Sequence, residues 1–89
     1  MKLAERSVIA VPDENIGETV IDEVFDVSTA ERYQKFHVLS NRCEKFLARD
    51  AGDNLIVEKD GIFLYWDQES DKLIPLGANV SDFLVGYEE

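Results

Sequence analysis

Two groups of residues in this chain have the types and spacing that chemistry would need. His37 and Cys43 are its only histidine and its only cysteine, six positions apart, and a thiolate with a neighbouring base is the usual cysteine nucleophile. Such a dyad also needs a third group to orient the base, and the local sequence supplies none, so His37 reads as structural and Cys43 as an inert buried thiol. The second group is "DQESD", which sets Asp67, Glu69 and Asp71 at alternate positions like the opening of a calcium loop. The sixth position of that loop is Lys72 where glycine is needed, and the twelfth is Ala78 where glutamate is needed, so no EF-hand is encoded. Phosphate-cradling glycine loops, zinc spacings and nucleophile elbows do not occur. The chain reads as a non-enzyme that uses no metal and no cofactor.

What remains is the chemistry of charge. The 89 residues carry 19 acids against 9 bases, a net charge of −10, and the acids come in blocks. Asp13, Glu14, Glu18, Asp22, Glu23, Asp26 and Glu31 follow one another with no basic residue between them. From Arg32 to Arg49 the bases dominate; from Asp50 to Lys72 the acids return. Nucleic-acid phosphates and anionic lipid surfaces repel such a chain, so neither nucleic acid nor membrane is expected as a partner. A basic protein is expected instead, including an enzyme whose own cleft is built to hold nucleic acid. One cysteine cannot close an internal disulfide, and Glu5, Arg6 and Pro12 interrupt any leader-like apolar run, which together point to the cytoplasm.

The elements that would position these charges follow from periodicity. "SVIAV" (7–11) predicts a strand closed by Pro12. In "DENIGETVIDEVFDV" the four-residue recurrence of Ile16, Val20 and Val24 predicts an amphipathic helix, against the weight of Gly17 and the β-branched residues. Ser28 and Glu31 have capping-box spacing and predict a second helix through "STAERYQKFHVL", with Tyr33 and Phe36 or His37 on one face. "CEKFLAR" predicts a strand with Phe46 and Ala48 on one side and Leu47 on the other. Pro75 allows "LIPLG" only as an edge strand or extended segment. "NVSDFLVGYEE" predicts a short closing helix, capped by Asn79 or Ser81, with Phe83 and Leu84 facing inward.

The clearest signal is the hairpin between Arg49 and Ser70. Asp60-Gly61 suits a type I′ turn, which needs positive φ at both positions. Pairing Lys59 with Ile62 then sets Glu58 against Phe63, Val57 against Leu64, Ile56 against Tyr65 and Leu55 against Trp66. One face, Leu55, Val57, Ile62, Leu64 and Trp66, is core. The other, Ile56, Phe63 and Tyr65 beside Glu58, is either a half-covered surface or a landing site for a partner or a second copy. The expected fold is α+β, one domain over residues 1–89. A small antiparallel sheet with this central hairpin (about 54–66) packs with two to three helices.

The stretch from Phe46 to Leu84 resembles the C-terminal half of the SUKH (Smi/Knr-like) superfamily. The shared features are a strand ending in the small residue Ala48, the turn Gly52-Asp53, the hairpin, Trp66-Asp67, Pro75-Leu76 and the closing Ser81-Asp82-Phe83-Leu84. The superfamily's opening "LP-x-x-Y-x-x-F-L" has no clear copy, and Gln68 stands where many members have histidine, which describes either a shortened member missing its first helix or an unrelated α+β domain with a similar hairpin. The resemblance implies a non-catalytic, protein-binding role, above all that of an immunity protein neutralising a bacterial toxin, often a nuclease. Asp50, Asp53, Asp67, Glu69 and Asp71, with Phe63 and Tyr65, are the expected partner-binding residues. The alternatives are an acidic nucleic-acid mimic or anti-defence protein, which needs the acids of 13–31 on one exposed face, and a regulatory or oligomerising scaffold using Ile56, Phe63 and Tyr65.

Overall fold

The computed structural model describes residues 3–36 and 45–88. Strands β1 (Ser7–Val11) and β2 (Gly17–Val24) are followed by helix α1 (Val27–Phe36). Next come β3 (Lys45–Asp50), β4 (Leu55–Lys59), β5 (Ile62–Asp67) and β6 (Lys72–Gly77). A 3₁₀ turn (Val80–Asp82) then leads into β7 (Leu84–Tyr87). All seven strands form one antiparallel sheet in the order β6-β5-β4-β3-β2-β1-β7. The sheet curls into a half-barrel, and α1 is the one α-helix among the described residues. This corrects the expected α+β arrangement with two to three helices: two of those helices are strands.

The first misplaced helix is β2. Residues four apart share a face of a strand as well as of a helix, so Ile16, Val20 and Val24 could not discriminate between them. Local chemistry decides. The Asp13 carboxylate accepts the Asn15 N–H at 2.9 Å, the Gly17 N–H returns to the Asp13 carbonyl at 2.8 Å, and Gly17 takes φ +69°. That turn delivers a β-branched run into the gap between β1 and β3, where Ile21 is fully buried. The second is the closing segment, helical only as the short turn Val80–Asp82. Beyond it β7 pairs with β1, Tyr87 opposite Ser7 and Gly86 opposite Val8, which gives Val85 and Gly86 the extended backbone that suits them better than helix.

Helix α1 starts earlier than Ser28. Asp26 caps it, its carboxylate accepting the Thr29 N–H at 2.8 Å, and this charge-assisted bond holds the Asp26 carboxyl below its ordinary value. The hairpin register is the expected one from Leu55–Trp66 to Lys59–Ile62, with positive φ at Asp60 and Gly61. Pro75 lies in β6, an edge strand as expected.

Both faces of the sheet are core. Inside the curl, Ile9, Val11, Ile21, Ala48, Ile56, Tyr65, Ile74, Leu76 and Phe83 pack together. On the other face Phe46, Leu55, Val57 and Trp66 are covered by Phe25 and by Ala30 and Tyr33 of α1, with the Phe25 and Tyr33 rings stacked at 4.5 Å. Each such side chain withdrawn from water contributes about 1.5–3 kcal/mol. Phe46 and Ala48 do not share a side: a register shift between them in the β3–β4 pairing sends Phe46 under the helix and Ala48 into the curl. Ile56 and Tyr65 are 0% and 1% exposed, so the second apolar face is no bare landing site.

Candidate functional site: the acidic end of the sheet

An antiparallel meander sends alternate connections to the same end of its sheet. The β1–β2, β3–β4 and β5–β6 connections therefore meet at one end, and they carry Asp13 and Glu14, Asp50 and Asp53, and Asp67, Glu69 and Asp71. Acids far apart in the chain become neighbours in space. Lys72 reaches Asp13 at 3.2 Å, tying the start of β6 to the β1–β2 turn. The Asn15 amide foremost, and Lys72 next, hold the Asp13 carboxyl below its ordinary value.

Asp50 organises this end from within. It is 1% exposed. One carboxylate oxygen accepts the backbone N–H groups of Gly52 and Asn54, both at 2.9 Å. The other accepts the Thr19 hydroxyl at 2.8 Å and the Tyr65 hydroxyl. The Asn54 side chain donates to the Tyr65 hydroxyl at 2.9 Å and accepts the Gln68 N–H at 2.9 Å. Gln68 in turn donates to the Asp53 carbonyl. The β3–β4 and β5–β6 loops are thus laced into one unit. Burial first, then the adjoining Asp50 carboxylate, push the Tyr65 phenol above its ordinary value. These groups are satisfied and enclosed: this is a brace, and Asp50 and Tyr65 are withdrawn from contact with a partner.

The remaining expected residues divide. Asp53 and Glu69 are exposed at the loop tips. Asp67 is half-buried and accepts the Glu69 N–H at 3.1 Å. Asp71 is exposed and accepts the Trp66 indole N–H at 3.0 Å. Phe63 sits at the opposite end of β5, half-buried, its ring 5.5 Å from that of Phe83. The loop acids are gathered; Phe63 is not among them. Arg49, which the charge pattern did not single out, is a further cation at this end beside Lys72. It meets Asp22 at 2.8 Å, Asp53 at 3.1 Å and Glu23 at 3.7 Å. The turn-forming "DAGDN" that opens the β3–β4 connection was the available signal for the roles of Asp50 and Asn54.

No family model, curated protein or solved structure matches this chain. The likeness to the SUKH superfamily rests on its residue pattern alone.

Among the described residues no cluster of three or more histidine, cysteine or acidic side chains is placed to hold a metal ion, and no helix is long and apolar enough to cross a membrane. His37 and Cys43 lie outside the described residues. The acids of 13–31 are divided among a turn, a strand and a helix. Asp13, Asp22, Glu23 and Asp26 serve Lys72, Arg49 and the helix cap. At the other end of the sheet a groove of about 660 Å³ opens between Val24, Phe25, Val27, Ala30, Phe46 and Phe63, with Lys45 at its edge.

Proposed function

We propose that this chain is a non-catalytic protein-binding module that engages a basic protein with the acidic end of its sheet, in the role of an immunity protein that neutralises a toxin. The observation that carries this reading is the convergence of three acidic loops at one end, braced by Asp50, Tyr65 and Asn54 so that their tips need little ordering on binding. A fixed array of like charges steers an oppositely charged partner and raises its association rate, an effect that salt screens. A nuclease, whose cleft is basic because it holds phosphates, has the complementary surface. Preformed loops also spare the ordering cost that a mobile acidic segment would meet.

The test is co-production with a toxin encoded beside the chain's own gene, read as cell survival and, for the purified pair, as association rate against ionic strength. The expected result is protection, with an association rate that falls steeply as salt rises. The double variant Glu14→Lys with Glu69→Lys, at two exposed loop positions, slows association by roughly tenfold or more while leaving the fold intact. Failure of the wild-type chain to bind or protect would overturn the proposal.

A further inference from the structure

Of the aspartates in this chain, Asp60 is the one left without a partner. Every other aspartate carboxylate accepts a hydrogen bond or meets Arg49. Among the described residues Asp60 does neither, and it stands exposed at the tip of the β4–β5 turn. The residue that follows it hinders approach least. Gly61 is exposed, and a Cβ added to it would meet nothing within 4 Å. No other aspartate or asparagine of the sequence precedes a glycine. The backbone adds a third condition: Asp60 holds φ +54°, in the left-handed region that is strained for a residue with a Cβ, so local opening of the turn relieves strain as it occurs.

We infer that Asp60-Gly61 is a modification site, at which aspartate isomerises spontaneously and the hairpin registers the change in its pairing. The Gly61 nitrogen, giving up its proton, attacks the Asp60 side-chain carboxyl carbon. A carbon–nitrogen bond forms, a carbon–oxygen bond breaks, and water leaves a five-membered imide. Water then reopens the ring. Attack at the side-chain carbonyl returns aspartate. Attack at the main-chain carbonyl leaves the chain running through the former side chain, with a free carboxylate where the main-chain carbonyl had been. The mass is unchanged and water is the only co-reactant. An extra methylene then lies in the main chain between Lys59 and Ile62, whose pairing closes the hairpin, and a two-residue turn has no slack to absorb it. The hairpin carries both cores, Ile56 and Tyr65 inside the curl and Leu55, Val57 and Trp66 beneath the helix, so the disturbance reaches both. The site lies at the end of the sheet away from the acidic loops and does not depend on the binding role proposed above.

The test ages the full chain at neutral pH and physiological temperature, labels it with an isoaspartyl methyltransferase and maps the label by peptide mass spectrometry. Expected is label in the peptide that holds Asp60-Gly61, and little elsewhere. Gly61→Ala should cut that label by roughly tenfold, because a side chain there crowds the attacking nitrogen. Asp60→Glu should abolish it, since glutamate would have to close a larger ring, and this holds whether or not the variant folds. The isomerised fraction, separated from the parent by chromatography, should exchange the Ile62 amide faster and melt several degrees lower. Label spread evenly over several aspartates, no label at Asp60, or label undiminished in Asp60→Glu overturns the site. An isomerised fraction with the exchange and melting of the parent overturns the link to hairpin pairing.

Discussion

Asp50 is the residue whose replacement most sharply tests how the acidic end is built. It is a buried carboxylate with four donors aimed at it: two backbone N–H groups, the Thr19 hydroxyl and the Tyr65 hydroxyl. Asp50→Ala strands all four. The Gly52 N–H lies in an exposed turn and can recruit water, but the Tyr65 hydroxyl is enclosed with its residue 1% exposed. An unsatisfied buried donor costs about 1–3 kcal/mol, and hydrogen bonds to a charged acceptor contribute about 1.5–3 kcal/mol each. Allowing for rehydration of the exposed turn, the variant should lose about 3–5 kcal/mol, a large share of the stability of a chain this size. With a urea dependence of about 1 kcal/mol per molar, the midpoint of unfolding followed by Trp66 fluorescence should fall by roughly 3 M or more. Asp50→Asn is milder. It keeps one oxygen for the two backbone N–H groups and offers an amide to two hydroxyls that can rotate to accept it, so about 1–2 kcal/mol should be lost. Tyr65→Phe combined with Asp50→Asn should cost less than the separate losses added together, because both act on one bond. Asp50→Ala within about 0.5 kcal/mol of wild type, or strict additivity in the double variant, would refute the brace.

Tyr65 also predicts an alkaline limit. Its phenol is raised in the folded chain, so its contribution is whole below the unfolded phenol value near 10 and is lost as pH rises through the folded value. Stability should therefore decline above about pH 10, and less steeply in Tyr65→Phe, measured by urea unfolding across that range. Asp26 predicts the opposite limb: its carboxyl is lowered by the Thr29 N–H, so its contribution is present above the unfolded carboxylate value and lost as pH falls through the folded one. Asp26→Asn should flatten that acid limb in melting curves and weaken α1 by circular dichroism. Gly77 has φ +145°, and a Cβ there would stand 2.6 Å from Cβ and Oδ2 of Asp82. Gly77→Ala should displace the turn into β7 and lower the melting temperature by several degrees, whereas Gly61→Ala in an open turn at φ +79° should cost about 1–2 kcal/mol through backbone strain alone.

The sequence by itself determined the elements whose signals are local. β1 ends where Pro12 ends it, and the β4–β5 register follows from Asp60-Gly61 because a two-residue turn leaves no freedom in the pairing. The acidity, and the lack of a recognisable catalytic motif, were equally plain. Tertiary structure decided what depends on neighbours. A four-residue recurrence fits helix and strand alike, and β2 became a strand because β1 and β3 stand on either side of it. The closing segment became β7 because β1 had an open edge. Ile56 and Tyr65, apolar on what looked like a spare face, are core because the sheet curls around them, while Phe46, Leu55 and Trp66 are core because Phe25 and α1 lie over them. The loop acids lie together only because a meander returns alternate loops to the same end, a long-range relation that no local spacing encodes.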